Sequence, residues 1–100
     1  MISAQRYKDR VCLITGGTSG IGFEIAKRMA EEGGSVVVCS VDKDWQEKVA
    51  ELKKAGDVHG LPCDVTIKEQ RLAVIKFVED KFHRIDVLCL NAGIAGYKGV

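Results

Sequence analysis

The chain has 100 residues, 46% of them hydrophobic, and its 15 Lys and Arg against 14 Asp and Glu leave a formal charge of +1. That length suits one small domain, the apolar content excludes a disordered tail, and the interleaved charges offer no electrostatic footprint for nucleic acid or an anionic membrane. Met1 to Arg10 lacks the apolar core of a signal peptide, and no run approaches the roughly 18 apolar residues that span a bilayer.

The apolar run over residues 11–15 predicts a buried first strand. The next residues, Thr15 to Gly22, read Thr-Gly-Gly-Thr-Ser-Gly-Ile-Gly. Gly16, Gly20 and Gly22 stand where strand turns into helix. That placement suits a backbone that must come close to a phosphate, because glycine allows left-handed geometry and has no Cβ to hold a ligand off. The helix that follows directs its unpaired N–H groups and positive dipole end at the same spot. Helical spacing predicts this helix over 20–32. Ile21, Ile25 and Met29 share its apolar face with Ala26 and Ala30, and Glu24 pairs with Arg28 on the solvent side. Gly33-Gly34 ends it. Three consecutive valines within 35–40 predict a second strand buried on both faces.

Residues 44–55 predict a second helix, with Trp45, Val49 and Leu52 as its apolar stripe and Gly56 as its stop. Trp45 at that spacing reads as core filler. A short third strand follows over 58–63, and Pro62 suits the edge of a sheet better than its centre. The third helix, over 66–82, opens with Thr66 and Glu69 in capping-box spacing. Its apolar residues, among them Leu72, Val74, Ile75, Phe77 and Val78, spread around the surface, which predicts cover on more than one side. The last strand, over 85–90, leads into Asn91-Ala92-Gly93.

Cys12, Cys39, Cys63 and Cys89 lie in or at the end of apolar segments and form no Cys-x-x-Cys pair. They read as four buried, reduced thiols, which fits the cytoplasm or another reducing compartment. A zinc or disulfide framework is the rival reading. His59 and His83 stand in polar contexts near element ends and read as solvated.

Strand and helix alternate throughout, so the expected fold class is α/β, a parallel sheet with helical crossovers. The expected strand order is 3-2-1-4, the first part of a dinucleotide fold, with the first two helices on one face and the third on the other. A crevice then opens between strands one and four at their carboxyl ends. Four candidate elements arrive at the carboxyl ends of successive strands: the loop Gly16 to Gly22, Ser40-Val41-Asp42, Asp64-Val65, and Asn91-Ala92-Gly93. Each alone reads as an ordinary turn; together they do not.

With these four elements the sequence resembles the short-chain dehydrogenase/reductase family, in its compact branch with Thr-Gly-x-x-x-Gly-Ile-Gly spacing; a carbonyl-reductase-like form is one candidate within it. The resemblance runs from about Lys8 to Gly93 and takes in Arg84-Ile85-Asp86-Val87-Leu88. It implies a Rossmann-type domain over residues 1–100, incomplete at its C-terminus, that binds NADP or NAD. Gly16, Gly20 and Gly22 would shape the loop, the Ile21 amide would meet the pyrophosphate, and Thr18 and Ser19 would offer hydroxyls to ribose and phosphate. Asp64 would bind the adenine amino group with Val65 beside it, and Asn91, Ala92 and Gly93 would line the second ribose. Leu90 departs from the family, which usually has a second asparagine there. Cofactor choice stays open. Ser40 stands where an acid would select NAD, Val41 stands where NADP users often have arginine, and Asp42 and Lys43 lie just beyond. Branch resemblance leans to NADP.

The resemblance also implies hydride transfer between nicotinamide and a small carbonyl or alcohol substrate, in an enzyme that is a homo-oligomer when complete. In the family a Tyr-x-x-x-Lys pair, a serine and an asparagine carry this chemistry, all beyond the Asn-Ala-Gly turn. The chain ends seven residues past Gly93, and neither Tyr7 nor Tyr97 has a lysine four places on, so no catalytic residue is assigned. Two alternatives stand beside this reading. One is a truncated, non-catalytic product that binds nucleotide or pairs with a partner; the other is a nucleotide fold with other chemistry, such as a methyltransferase.

Overall fold

A computed structural model describes residues 5–18 and 20–90. Four parallel strands, β1 (Val11–Thr15), β2 (Ser35–Ser40), β3 (Asp57–Pro62) and β4 (Val87–Leu90), alternate with three helices, α1 (Gly20–Glu31), α2 (Trp45–Leu52) and α3 (Lys68–Phe82). The strand order is β3-β2-β1-β4, as the sequence predicts. In register, Cys12 faces Val36, Leu13 faces Val37 and Ile14 faces Val38. Side chains alternate across a strand, so residues of one parity line one face. Cys12, Ile14, Val36, Val38 and Val58 pack under Ala26, Met29 and Ala30 of α1 and Val49 and Leu52 of α2. Val11, Leu13, Val37 and Cys39 pack under Val74 and Val78 of α3. The helices therefore divide between the two faces as the right-handed crossover rule requires. Val36, Val37 and Val38 are fully buried, each worth about 1.5–3 kcal/mol of transfer free energy.

The helices differ from expectation in detail, each time because a local competitor wins. Ile21 is 73% exposed, since the first turn of α1 lies beyond the edge of the core. Arg28 pairs with Glu32 rather than Glu24. The Thr66 hydroxyl bonds the Asp64 carboxylate at 2.6 Å, so no capping box forms, and α3 starts after Ile67 without a side-chain cap. Leu72 and Ile75 on α3 are exposed. His59 is half-buried, bonded to Asp57 at 2.8 Å and set edge-on to Phe82 with ring centroids 5.5 Å apart. Cys12, Cys39 and Cys63 are buried free thiols, while Cys89 is only half-buried. No helix among the described residues is long and apolar enough to cross a membrane.

Two ion pairs tie the sheet to its surroundings. Glu32, with its side chain 5% exposed, sits at the carboxyl end of α1, where the helix dipole disfavours an acid. Arg6 compensates it with two bonds, Nε to Oε1 at 2.6 Å and Nη2 to Oε2 at 2.8 Å, and Tyr7 N–H adds a bond to the Glu32 carbonyl. The segment before β1 is thereby fastened to the end of α1. Asp86 fastens β4 in the same manner. Its Oδ2 accepts from Val11 N–H at 2.8 Å, its own N–H donates to the Val11 carbonyl, and Arg84 grips Oδ1. The Arg84 guanidinium and the Val11 amide hold the Asp86 carboxyl below the usual carboxylate range.

The hydrogen bond and charge of Arg6 lower the pKa of Glu32. A depressed folded-state value contributes stability above the unfolded value of about 4.3, and that contribution disappears as pH falls through the lower folded value. Glu32→Gln is expected to lower Tm at neutral pH, with the gap to wild type closing below pH of about 4. Thermal melts across pH check this; a gap that does not depend on pH contradicts it.

Among the described residues the two sheet edges are unlike. The β3 edge carries Asp57, His59 and Pro62, all of which discourage further pairing. The β4 edge reads Val-Leu-Cys-Leu, and Leu88 and Leu90 are more than half exposed. The chain is expected to self-associate through β4, and Leu88→Lys is expected to shift it toward monomer in sedimentation velocity. A wild-type sedimentation coefficient that does not change with concentration contradicts this.

Candidate functional site

Because β1 and β2 are parallel and in register, their carboxyl ends lie side by side, with Thr15 opposite Cys39. The chain leaving β1 is tied back by Gly16 N–H to the Cys39 carbonyl at 2.8 Å. It then passes over Val38 so closely that a Cβ on Gly17 would lie 2.5 Å from Val38 Cγ1. Sequence reasoning passed over Gly17, and its only signal was that it doubles Gly16. Gly20 has a left-handed φ of +54°, and a Cβ there would meet nothing within 4 Å. The loop is thus seated on the core at Gly17 and open at Gly20, where α1 begins. Gly22 is buried in the first turn of α1, while the Ile21 side chain stands out from it.

The structure brings Thr18, Ser40 and Asp42 together. Thr18 Oγ1 lies 2.7 Å from Ser40 Oγ and 2.8 Å from Asp42 Oδ2, and Asp42 N–H donates to Ser40 Oγ at 2.9 Å. The carboxylate can only accept, so it takes the single Thr18 proton, and Ser40 donates to Thr18. The three groups close a ring, each giving one hydrogen bond and accepting one. Thr18 is 1% and Ser40 3% exposed, which leaves the half-buried Asp42 as the member that meets solvent. Val41 between them is exposed.

One strand further out, the Cys63 amide is bonded to the Ser40 carbonyl, which sets Asp64 beside the end of β2. Asp64 Oδ1 accepts from both the amide and the hydroxyl of Thr66, and those bonds hold its carboxyl below the usual range. The Asp64 amide in turn donates to Gln70 Oε1 at 2.7 Å. A carboxylate has about four acceptor positions, so room for a further donor remains. The Val65 carbonyl accepts from Arg71 at 2.6 Å, and its side chain packs on the α3-side core. Ser19, Asn91, Ala92 and Gly93 lie outside the described residues, as does Tyr97.

The buried thiols are chemically quiet. Burial, helped by Cys63, pushes the Cys39 thiol up to about 12, and burial pushes Cys12 up to about 11. A nucleophile or metal ligand must be a thiolate, so these groups act as small apolar fillers. Among the described residues no cluster of His, Cys, Asp and Glu is placed to hold a metal ion. A groove of about 810 Å³ runs along α1 and shares Thr18, Gly20 and Ile21 with the loop.

A glycine loop seated between strand and helix, beside an acid two positions past the end of the neighbouring parallel strand, is the arrangement of a Rossmann-type α/β half-sheet. The family model described as short chain dehydrogenase matches residues 10–100, and the chain belongs to that oxidoreductase family. Zerumbone synthase of Zingiber zerumbet is 35% identical over 95 residues, covering 93% of this chain and 35% of that protein. A Pseudomonas aeruginosa RhlG complex with NADP superposes with a TM-score of 0.82 at 29% identity, over 93% of this chain and 38% of that one. An NAD⁺-bound xylitol dehydrogenase superposes with a TM-score of 0.77 at 28% identity, over 83% and 33%. The chain therefore spans about a third of the length of the curated relatives it matches.

Gly17→Ala drives a methyl group into Val38, and overpacking of this kind costs about 1–3 kcal/mol. Urea unfolding is expected to show that loss of stability. An unchanged midpoint would mean the loop can lift off the sheet freely.

Proposed function

We propose that the chain forms the adenine-side half of a nicotinamide dinucleotide site, in an oxidoreductase acting on a small carbonyl or alcohol substrate. The observation that carries this reading is Gly20, a left-handed, unfilled backbone position at the start of a 12-residue helix. An approaching pyrophosphate would find no Cβ in its way there, and the positive end of α1 would face it. The solved complexes of similar proteins with NADP and NAD⁺ support the same cofactor class.

In this reading Gly16, Gly20 and Gly22 shape the cradle, the Ile21 amide offers a donor to the pyrophosphate, and Ser19 offers its hydroxyl to ribose or phosphate. The exposed Ile21 side chain gains cover from the bound cofactor. Thr18, Ser40, Val41 and Asp42 flank the adenine ribose, Asp64 and Val65 the adenine, and Asn91, Ala92 and Gly93 the second ribose. The nicotinamide ring supplies or accepts the hydride. The 100-residue sequence contains no Tyr-x-x-x-Lys, so this chain is proposed to bind cofactor without turnover. In the whole enzyme it would act within a homo-oligomer.

Trp45 reports on the site, since α2 begins three residues after Asp42. Titration of the chain with NADH and NADPH is expected to change its emission saturably with at least one of them. Gly20→Val is expected to weaken that binding at least tenfold while far-UV circular dichroism stays unchanged. No response to either cofactor at millimolar concentration would overturn the reading.

A further inference from the structure

We infer that Cys39 and Cys63 form an oxidation-sensitive thiol pair, which peroxide closes into a disulfide between the carboxyl ends of β2 and β3 and which, once closed, weakens nucleotide binding. The thiol chemistry stands by itself; the effect on binding rests on the dinucleotide reading above.

Cys39 is the penultimate residue of β2, and Cys63 directly follows β3. The parallel register sets Cys39 opposite Leu61, so Cys63 lies two residues further along the neighbouring strand and on the same face. The bond from Cys63 N–H to the Ser40 carbonyl at 2.9 Å carries the pairing one step past β3 and holds the two backbones together at this level. Both side chains are buried in the α3-side core, and their thiols share a hydrogen bond. Cys12 and Cys89 are offset in the same way across β1 and β4, since Cys12 faces Val87, but they interact only through charge.

The two sulfurs are not equivalent. Burial pushes the Cys39 thiol up to about 12, so it stays protonated. Burial raises Cys63 too, but the bond from Cys39 and the Arg71 guanidinium act in the opposite direction. Cys63 is therefore the sulfur that reacts first, and slowly, because only its thiolate is nucleophilic. Hydrogen peroxide takes two electrons from the Cys63 thiolate, giving a sulfenic acid and a hydroxide, which takes up the proton that Cys63 released. The Cys39 sulfur then attacks the sulfenic sulfur. An S–S bond forms, the S–O bond breaks, and the Cys39 proton leaves with the departing hydroxide as water. Two thiols and one peroxide become one disulfide and two waters.

Closure draws the sulfurs to about 2 Å, which needs the two Cα atoms within roughly 7 Å. β2 is central and buried, whereas β3 is an edge of the sheet, so the end of β3 is the part that yields. Asp64 is the next residue and moves with it. On the other side the Gly16 amide, which donates to the Cys39 carbonyl at 2.8 Å, also bonds the Cys39 sulfur. One covalent bond thus pulls on Asp64 and on the glycine loop together.

The test is prolonged peroxide treatment of the full 100-residue chain at low protein concentration, followed by thiol counting in denaturant and peptide mapping. One intramolecular link, Cys39 to Cys63, is expected, with the four free thiols falling to two and dithiothreitol restoring them. Calorimetric titration with NADH and NADPH is expected to show the oxidised chain binding its better cofactor at least fivefold more weakly than the reduced chain, reversibly with dithiothreitol. Cys63→Ala is expected to abolish this sensitivity to peroxide, and Cys89→Ala to keep it. A link between Cys12 and Cys89, links between chains, or no link would overturn the inference and leave the dinucleotide reading intact. The Cys39–Cys63 link with unchanged affinity would also overturn it. Binding of neither cofactor by the reduced chain would overturn the dinucleotide reading and the switch with it. The wild-type peptide map and titration decide the matter even if a variant fails to fold.

Discussion

The parallel, in-register pairing of β1 with β2 is the constraint on which the rest of the molecule depends. Five successive pairs, from Val11 with Ser35 to Thr15 with Cys39, bring both strands to their ends at the same level. Their odd and even residues then face opposite helical layers, so neither strand can shift by one residue without turning its buried side chains to the wrong face. That register delivers the glycine loop and the end of β2 to one place. It also makes possible the contacts that define the site, from Gly16 to Cys39, from Gly17 to Val38 and from Thr18 to Ser40. The chemistry at the top of the sheet is a consequence of the packing beneath it.

Much of this was legible in the sequence. The valine run in β2 and the apolar run in β1 announced two central strands, and the placement of Pro62 announced an edge. The alternation of elements gave the sheet order and the division of helices between its faces. These features depend on residue type and period, which a linear reading captures. Where the reading failed, two partners competed for one group or an exposed position imitated a core position. Thr66 satisfies both the pattern of a capping box and that of a turn closed on Asp64, and the shorter-range bond prevails. Ile21 keeps perfect helical spacing with Ile25 and Met29, but spacing does not reveal where the core ends. The Glu32 pair with Arg6 and the ring through Thr18 join residues 26 and 24 apart, and only the folded sheet puts them together. A signal was present for Glu32, because an acid in the last turn of a helix needs compensation.

The molecule manages its polar groups economically. Among the described residues no buried side-chain nitrogen or oxygen lacks a hydrogen-bond partner. Glu32, Asp86 and Asp42 each use a carboxylate as a bracket between segments that are distant in sequence: the N-terminal segment with α1, β4 with β1, and β2 with the glycine loop. In the first two an arginine offsets the charge. The third is closed by the neutral Thr18 hydroxyl, with no ion pair to Asp42 among the described residues.

The contact between Gly17 and Val38 couples the shape of the loop to the identity of a core residue. A smaller side chain at position 38 would open space under Gly17, so mutations at the two positions are energetically coupled. Sequence drift in the hydrophobic interior is thereby transmitted to the glycine loop with no surface residue exchanged. Any attempt to reshape the loop for another ligand has to begin in the middle of β2.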